Sequence, residues 1–97
     1  MAMISNQGYV ADNAGQVNLS LPVSSRFGDE IAVSGKGAGG WIITMNAGQS
    51  IAIGTVSTTS GGSVASQSYT DSVRLVCIVP NFQWTTTGGP QGNLTIL

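Results

Sequence analysis

Between residues 29 and 46, two apolar segments flank a corner that is dense in glycine. Ile31 and Val33 alternate with smaller or polar residues, which predicts a half-buried strand. Four of the six residues from 35 to 40 are glycine, so the backbone can turn there without side-chain clashes. Trp41 and Ile43 then share one face of a second strand. The sequence therefore predicts a strand, a corner and a second strand.

Alternating apolar residues predict further strands on both sides of this corner. Val17, Leu19 and Leu21 share one face of a segment that Pro22 ends, because proline cannot donate to a sheet ladder. The segment 72–79 is the most hydrophobic, and we expect one of its faces to lie in the core. That face consists of Val73, Leu75, Cys77 and Val79.

Two further expectations concern residues 74 and 82–86. Arg74 is the one charge inside the segment 72–79, and we expect its guanidinium to contact a carboxylate or a carbonyl. Residues 82–86 predict a strand in which Phe82 and Trp84 share a face.

The order of these segments predicts an all-β fold. No part of the chain has helical periodicity, and the Ser-, Thr- and Gly-rich segment 55–68 predicts a long loop or a hairpin with a flexible tip. About eight short strands at regular spacing are typical of a β-sandwich. We therefore expect a single small antiparallel β-sandwich or jelly-roll-like domain over residues 1–97. We expect this domain to be the C-terminal fragment of a longer protein, because Met1-Ala2-Met3 resembles a cloning start joined to a fragment.

The low charge of the chain limits its partners. Charged residues make up 7% of the sequence, against about 25% in an ordinary soluble domain. A net charge of -1 provides no basic patch for nucleic acid, and no run approaches the ~20 apolar residues of a membrane helix. A 97-residue chain builds only a modest core, and the single Cys77 cannot form an internal disulfide. Oligomerisation is the obvious way to stabilise such a domain, so we expect the chain to self-associate.

The side chains that usually carry catalysis are scarce. Histidine is absent, and one cysteine with four carboxylates offers no metal-ligand spacing. Asp29 and Glu30 are adjacent, so on a strand they point to opposite faces and cannot flank one bond. The glycines at 35–40 do not match a phosphate-binding loop and lead into a strand rather than a helix. We therefore expect neither catalysis nor a cofactor nor a metal.

Aromatic residues provide the candidate ligand contacts. Trp41 follows the glycine corner, where it either anchors the core or a subunit interface or stacks on a sugar. Trp84 precedes three threonines and an open glycine corner. We predict Trp84, Tyr69 and Asn81 as ligand-binding residues. The alternative is that Trp84 packs with Phe82 in the core or at a subunit interface.

Motifs along nearly the whole chain resemble a domain common at the C-termini of phage tail-fibre-like and other viral or bacterial fibre proteins. The similar segments are Gly8–Asp12, Val17–Pro22, Gly28-Asp29, Gly37–Trp41, Gln49–Ile51, Ser57–Thr59, Asp71–Cys77 and Gln91–Ile96. The glycine-tryptophan motif and the Gln-Gly-Asn-Leu-Thr motif are the most specific. One position departs from the family, which often has Lys or Arg where Ile42 stands here, so we expect a drier face.

The resemblance implies a homotrimeric fibre tip, on a virion tail fibre or another extracellular fibre, with a role in attachment rather than catalysis. No functional residue can be transferred from the family. Two functions remain open: recognition of a receptor, such as a cell-surface glycan, and a purely structural trimerisation cap that binds no ligand. A catalytic depolymerase fragment is a third and more distant alternative.

Overall fold

The computed structural model describes residues 2–53, 56–68, 70–87 and 94–97, and this part of the chain is all β. Ten strands are present: β1 Gln7–Ala11, β2 Val17–Ser20, β3 Glu30–Gly35, β4 Trp41–Thr44, β5 Ser50–Ile53, β6 Val56–Ser57, β7 Ser63–Ser66, β8 Ser72–Val79, β9 Gln83–Thr86 and β10 Leu94–Ile96. In these residues there is no helix that is long and apolar enough to span a membrane.

The strands form two sheets, and both are mixed. The larger sheet has the order β1-β3-β8-β9-β5-β6, and the smaller one has the order β10-β7-β4-β2. The pairs β1–β3, β2–β4 and β5–β9 are parallel, and the other pairs are antiparallel. The all-β class is therefore confirmed, whereas the expectation of a purely antiparallel domain is wrong. Alternation along one strand does not encode the direction of its partner.

Two stacked β-arches explain two of the three parallel pairs, β1–β3 and β2–β4. In each arch the chain leaves the larger sheet (β1 or β3), turns, and enters the smaller sheet (β2 or β4). The predicted strand, glycine corner and strand are confirmed as the second arch. Its corner lies on the turn of the first: Gly37 N donates to Ala11 O at 2.9 Å and Gly39 N to Asn13 O at 3.0 Å. A Cβ on Gly37 or Gly39 would collide with the backbone of that turn, so the stacking requires glycine.

A single apolar core contains residues of both sheets. Its buried members in the strands include Leu19, Ile31, Val33, Trp41, Ile43, Ile51, Val64, Val73, Leu75, Cys77 and Trp84. The predicted inward face of β2 is confirmed, because Leu19 and Leu21 are both buried. Trp41 is also buried in the core.

The predicted face of β8 is confirmed for three of its four residues. Val73, Leu75 and Cys77 are buried, but Val79 is 42% exposed. The reason is a bulge: Cys77 lies opposite Trp84 while Val79 lies opposite Gln83, so β8 advances two residues where β9 advances one. The extra residue ends the alternation, and Val79 turns away from the core.

Two other boundaries differ from the sequence predictions. The segment 55–68, which the sequence predicts to be a long loop or a hairpin, contains β6 and β7 in its described part. These two strands lie in different sheets and so do not pair as a hairpin. Phe82 precedes β9 in a turn and is 55% exposed, so it does not share the buried face of Trp84.

Candidate functional site

An open cleft of about 620 Å³ lies between the N-terminal segment, the connection from β2 to β3 and the turn before β9. We call it the Asn81 cleft. Its lining residues are Ala2, Met3, Ile4, Ser5, Pro22, Val23, Ser24, Ser25, Arg26, Asp29 and Asn81. The cleft therefore includes one of the three residues predicted from the sequence.

The N-terminal wall of this cleft follows the edge of the smaller sheet. Ala2 forms an isolated parallel bridge with Ser20, and Met3 N donates to Ser20 O at 2.9 Å. Met3 is buried, whereas Ile4 is exposed. The segment thus anchors one side chain in the core and presents the next to solvent.

Asn81 is held by a reciprocal pair of hydrogen bonds with Ser25. Ser25 N donates to Asn81 Oδ1 at 2.7 Å, and Asn81 N donates to Ser25 Oγ at 2.9 Å. Asn81 has φ +70°, a left-handed conformation that asparagine tolerates better than most residues. Its side-chain oxygen therefore serves the turn, and the amide is fixed in position at the edge of the cleft.

Buried polar groups support this turn from below. Gln49 is 2% exposed, and its Nε2 donates to Pro22 O at 2.8 Å and to Asn81 O at 3.2 Å. Its Oε1 accepts from Asn46 N at 2.9 Å. Ser25 is buried as well, with its Oγ 3.2 Å from Cys77 Sγ. A buried amide is costly unless it is paired, and here the amides are paired. The network therefore rigidifies two walls of the cleft, the connection from β2 to β3 and the turn before β9.

Asp29 closes the connection from β2 to β3. Its Oδ2 accepts from Arg26 N at 2.9 Å, and its Oδ1 accepts from Asn6 Nδ2 at 3.3 Å. The Arg26 backbone N–H is the main cause that holds the pKa of the Asp29 carboxyl below its ordinary value, and the Asn6 amide adds to it, because these bonds favour the charged form. The carboxylate is thus a structural acceptor that ties β3 to the turn before β1.

Large apolar side chains are exposed beside the cleft. We call Val23, Phe27, Val79 and Phe82 the apolar loop surface; their exposed fractions run from 42% at Val79 to 76% at Phe27. They lie on the two segments that the Ser25–Asn81 bonds join. The cleft and the apolar loop surface together present exposed hydrophobic residues, the Asn81 amide and the Arg26 guanidinium. This combination suits a ligand with both apolar patches and hydroxyl groups.

The other predicted site residues have different outcomes. Trp84 is 0% exposed and belongs to the core, so its ring cannot stack on a ligand in this structure. The prediction relied on the polar residues after Trp84, but its pairing opposite Cys77 and Ile51 turns the side chain inward. Tyr69 lies outside the described residues.

Sequence reasoning did not identify Ser25, Gln49 or Asp29 as parts of this site. All three lie in connections where polar residues are common, and each also has a partner that is distant in the chain. The only signal was the density of turn residues at 22–29 and 46–49.

Titratable groups are dispersed over the described residues. No three His, Cys, Asp or Glu side chains in that part of the chain could hold a metal ion together. Cys77 is buried. The ion pair found in the described ranges joins Lys36 Nζ and Asp12 Oδ2 at 3.7 Å, and both side chains are exposed.

Comparison with models of known protein families and with curated protein sequences finds no match to this chain. The fold and the site therefore rest on the geometry described above.

Proposed function

We propose that this protein is a non-catalytic attachment domain that binds a cell-surface carbohydrate in the Asn81 cleft. In this proposal the two sheets form a β-sandwich, and three copies assemble at the tip of a fibre, on a virion or another extracellular structure. The resemblance to fibre-tip domains supports the context, and the low charge of the chain suits contact with uncharged ligands.

The composition of the Asn81 cleft is the observation that carries the proposal. The exposed apolar side chains Ile4 and Val23 line it together with Ser24, Arg26 and Asn81. Sugars present apolar C–H patches beside hydroxyl groups, so they need both kinds of surface within one site. The bonds from Ser25 and Gln49 hold the walls in place before a ligand arrives, which lowers the entropy lost on binding.

A glycan array with the purified protein, followed by calorimetric titration of each hit, tests the proposal. Arg26→Ala and Val23→Ser change exposed side chains of the cleft and should weaken binding at least about tenfold. Lys36→Ala and Val56→Ser are matched controls, because both residues are exposed and neither lines the cleft. They should stay within about twofold of the original protein. Absence of any glycan ligand, or equal effects in both sets of variants, would contradict the proposal.

A purely structural role as a trimerisation module is the second candidate. The apolar loop surface favours it, because exposed aromatic and aliphatic side chains are typical of surfaces that another protein chain covers. This role predicts a trimeric mass in light scattering together with a glycan array without hits. A stable monomer at micromolar concentration would contradict the trimer in both candidate functions.

A further inference from the structure

The outward face of β1, β3 and β8 combines one cation and one anion with several small residues. Ile31, Val33 and Leu75 point into the core, so the alternate residues of these strands point away from it. We call this surface the outer sheet face. Its residues are Gly8, Val10, Glu30, Ala32, Ser34, Ser72, Arg74 and Val76.

Glu30 and Arg74 are the two charged residues of this face. The register places Glu30 opposite Val76 and Ala32 opposite Arg74, which makes the two charged residues diagonal neighbours. Both are exposed, and neither forms an ion pair within the described ranges. The expected carboxylate or carbonyl partner of Arg74 is thus not found among these residues.

Small residues lie beside the two charges. Gly8 pairs with Ala32, and Ala32 pairs with Arg74, so one row across the sheet has almost no side-chain volume until it reaches the guanidinium. An open cleft of about 370 Å³ follows this row, with Glu30 and Arg74 among its lining residues. Val10 stands at the margin and is 66% exposed.

We propose that the outer sheet face binds a second copy of this chain, with Arg74 of one copy against Glu30 of the other. One cation and one anion on the same face allow a closed ring of three copies, because Arg74 of each copy meets Glu30 of the next copy. The balanced charge disfavours a polyanion such as nucleic acid, which needs a surplus of cations. The row of small residues allows side chains of the neighbour to approach the sheet closely, while Val10 and Val76 supply apolar contact.

This inference rests on the self-association in the proposed function and assigns it to a particular surface. It does not depend on the Asn81 cleft or on carbohydrate binding. An assembling protein that fails the charge tests below would contradict the inference alone. A protein that stays monomeric at about 100 μM in light scattering would contradict both the inference and the proposed trimer.

Charge reversal with rescue tests the contact. Glu30→Arg and Arg74→Glu each place like charges across the interface and should weaken association at least about tenfold in a sedimentation dilution series. The double variant restores opposite charges and should return within about threefold of the original protein. Asp12→Lys and Lys36→Asp are matched controls, since they reverse the exposed pair that lies outside the outer sheet face. Circular dichroism of each variant verifies its fold.

A second pair of variants distinguishes the outer sheet face from the apolar loop surface. Val10→Lys should weaken association at least about tenfold, and Val23→Lys should leave it within about twofold. The opposite pattern would overturn the inference and assign the interface to the apolar loop surface. Single charge reversals that equal their controls, or a double variant that does not recover, would overturn it as well.

Discussion

At the scale of single residues, the two tryptophans have the same burial and different polar environments. Both are 0% exposed. Trp41 Nε1 donates to Asp71 O at 2.8 Å, whereas Trp84 Nε1 is buried with no hydrogen-bond partner among the described residues. Sequence reasoning separated the two residues by their neighbours in the chain and predicted Trp84, rather than Trp41, as a ligand-binding residue. Their burial depends on strand register, which local sequence does not specify.

The unequal polar environments predict unequal costs of substitution. Trp41→Phe removes the hydrogen bond to the Asp71 carbonyl, whereas Trp84→Phe removes a donor that has no partner in the part of the chain that the structure describes. Both variants lose ring volume, so we expect Trp41→Phe to lower the free energy of unfolding by about 1 kcal/mol more than Trp84→Phe. Urea denaturation of both proteins measures the difference. Equal costs would show that the Trp41–Asp71 bond contributes little.

The Asp29 carboxylate makes the stability of the domain sensitive to acid. Its pKa is lowered chiefly by the Arg26 N–H, so the folded state favours the ionised carboxylate. The stabilisation is present at pH values above the carboxyl's unfolded pKa and is lost as the pH falls through the lowered folded pKa. Asp29→Asn removes the charge and keeps an acceptor oxygen.

We therefore expect Asp29→Asn to be less stable than the original protein at pH 7, with a difference that narrows as the pH falls below about 4. Thermal unfolding between pH 7 and pH 2 measures this difference. Asp12→Asn is the control, because Asp12 is an exposed carboxylate whose partner among the described residues is the Lys36 side chain rather than a backbone N–H. A constant difference across this range would contradict the role of the Asp29 charge.

At the scale of elements, the alternation of apolar residues correctly predicted which face of a strand is buried, as long as the strand has no bulge. The inward faces of β2 and of β8 up to Cys77 could be predicted because apolar residues recur at every second position. The bulge after Cys77 could not be predicted from the sequence, because it depends on how β8 pairs with β9 across the turn at Pro80 and Asn81. Strands β6 and β7 could not be predicted either. Their partners, β5 and β4, supply the order that a Ser- and Thr-rich segment does not encode.

The bulge predicts that two apolar residues of one strand differ in their contribution to stability. Leu75 is completely buried, so Leu75→Ala should lower the free energy of unfolding by about 2–5 kcal/mol. Val79 lies beyond the bulge and is partly exposed, so Val79→Ala should cost less than about 1 kcal/mol. Guanidinium denaturation compares the two. A large cost at Val79 in the monomeric state would show that the bulge is absent in solution.

At the scale of the whole molecule, the arches show which features of the fold could be predicted from the sequence and which could not. Each arch contributes one strand to the larger sheet and one strand to the smaller sheet, and the two sheets share one core. The glycine corner could be predicted from composition alone. Its contact with the turn at 12–15 could not, because that contact joins two turns that are distant in the chain. The Asn81 cleft was predicted only at Asn81 for the same reason: its walls come from three separate segments.

A shared core predicts that the two sheets unfold together, and the tryptophans can report on each sheet separately. Trp41 lies in β4 of the smaller sheet, and Trp84 lies in β9 of the larger one. In Trp84→Phe, fluorescence therefore follows the smaller sheet, and in Trp41→Phe it follows the larger sheet. Far-UV circular dichroism follows both sheets in either variant. We expect the fluorescence and dichroism midpoints to coincide within each variant, because loss of either sheet exposes the core of the other. Midpoints that separate in one variant would show that its fluorescent sheet is an independent unit, and the two sheets would then not depend on a common core.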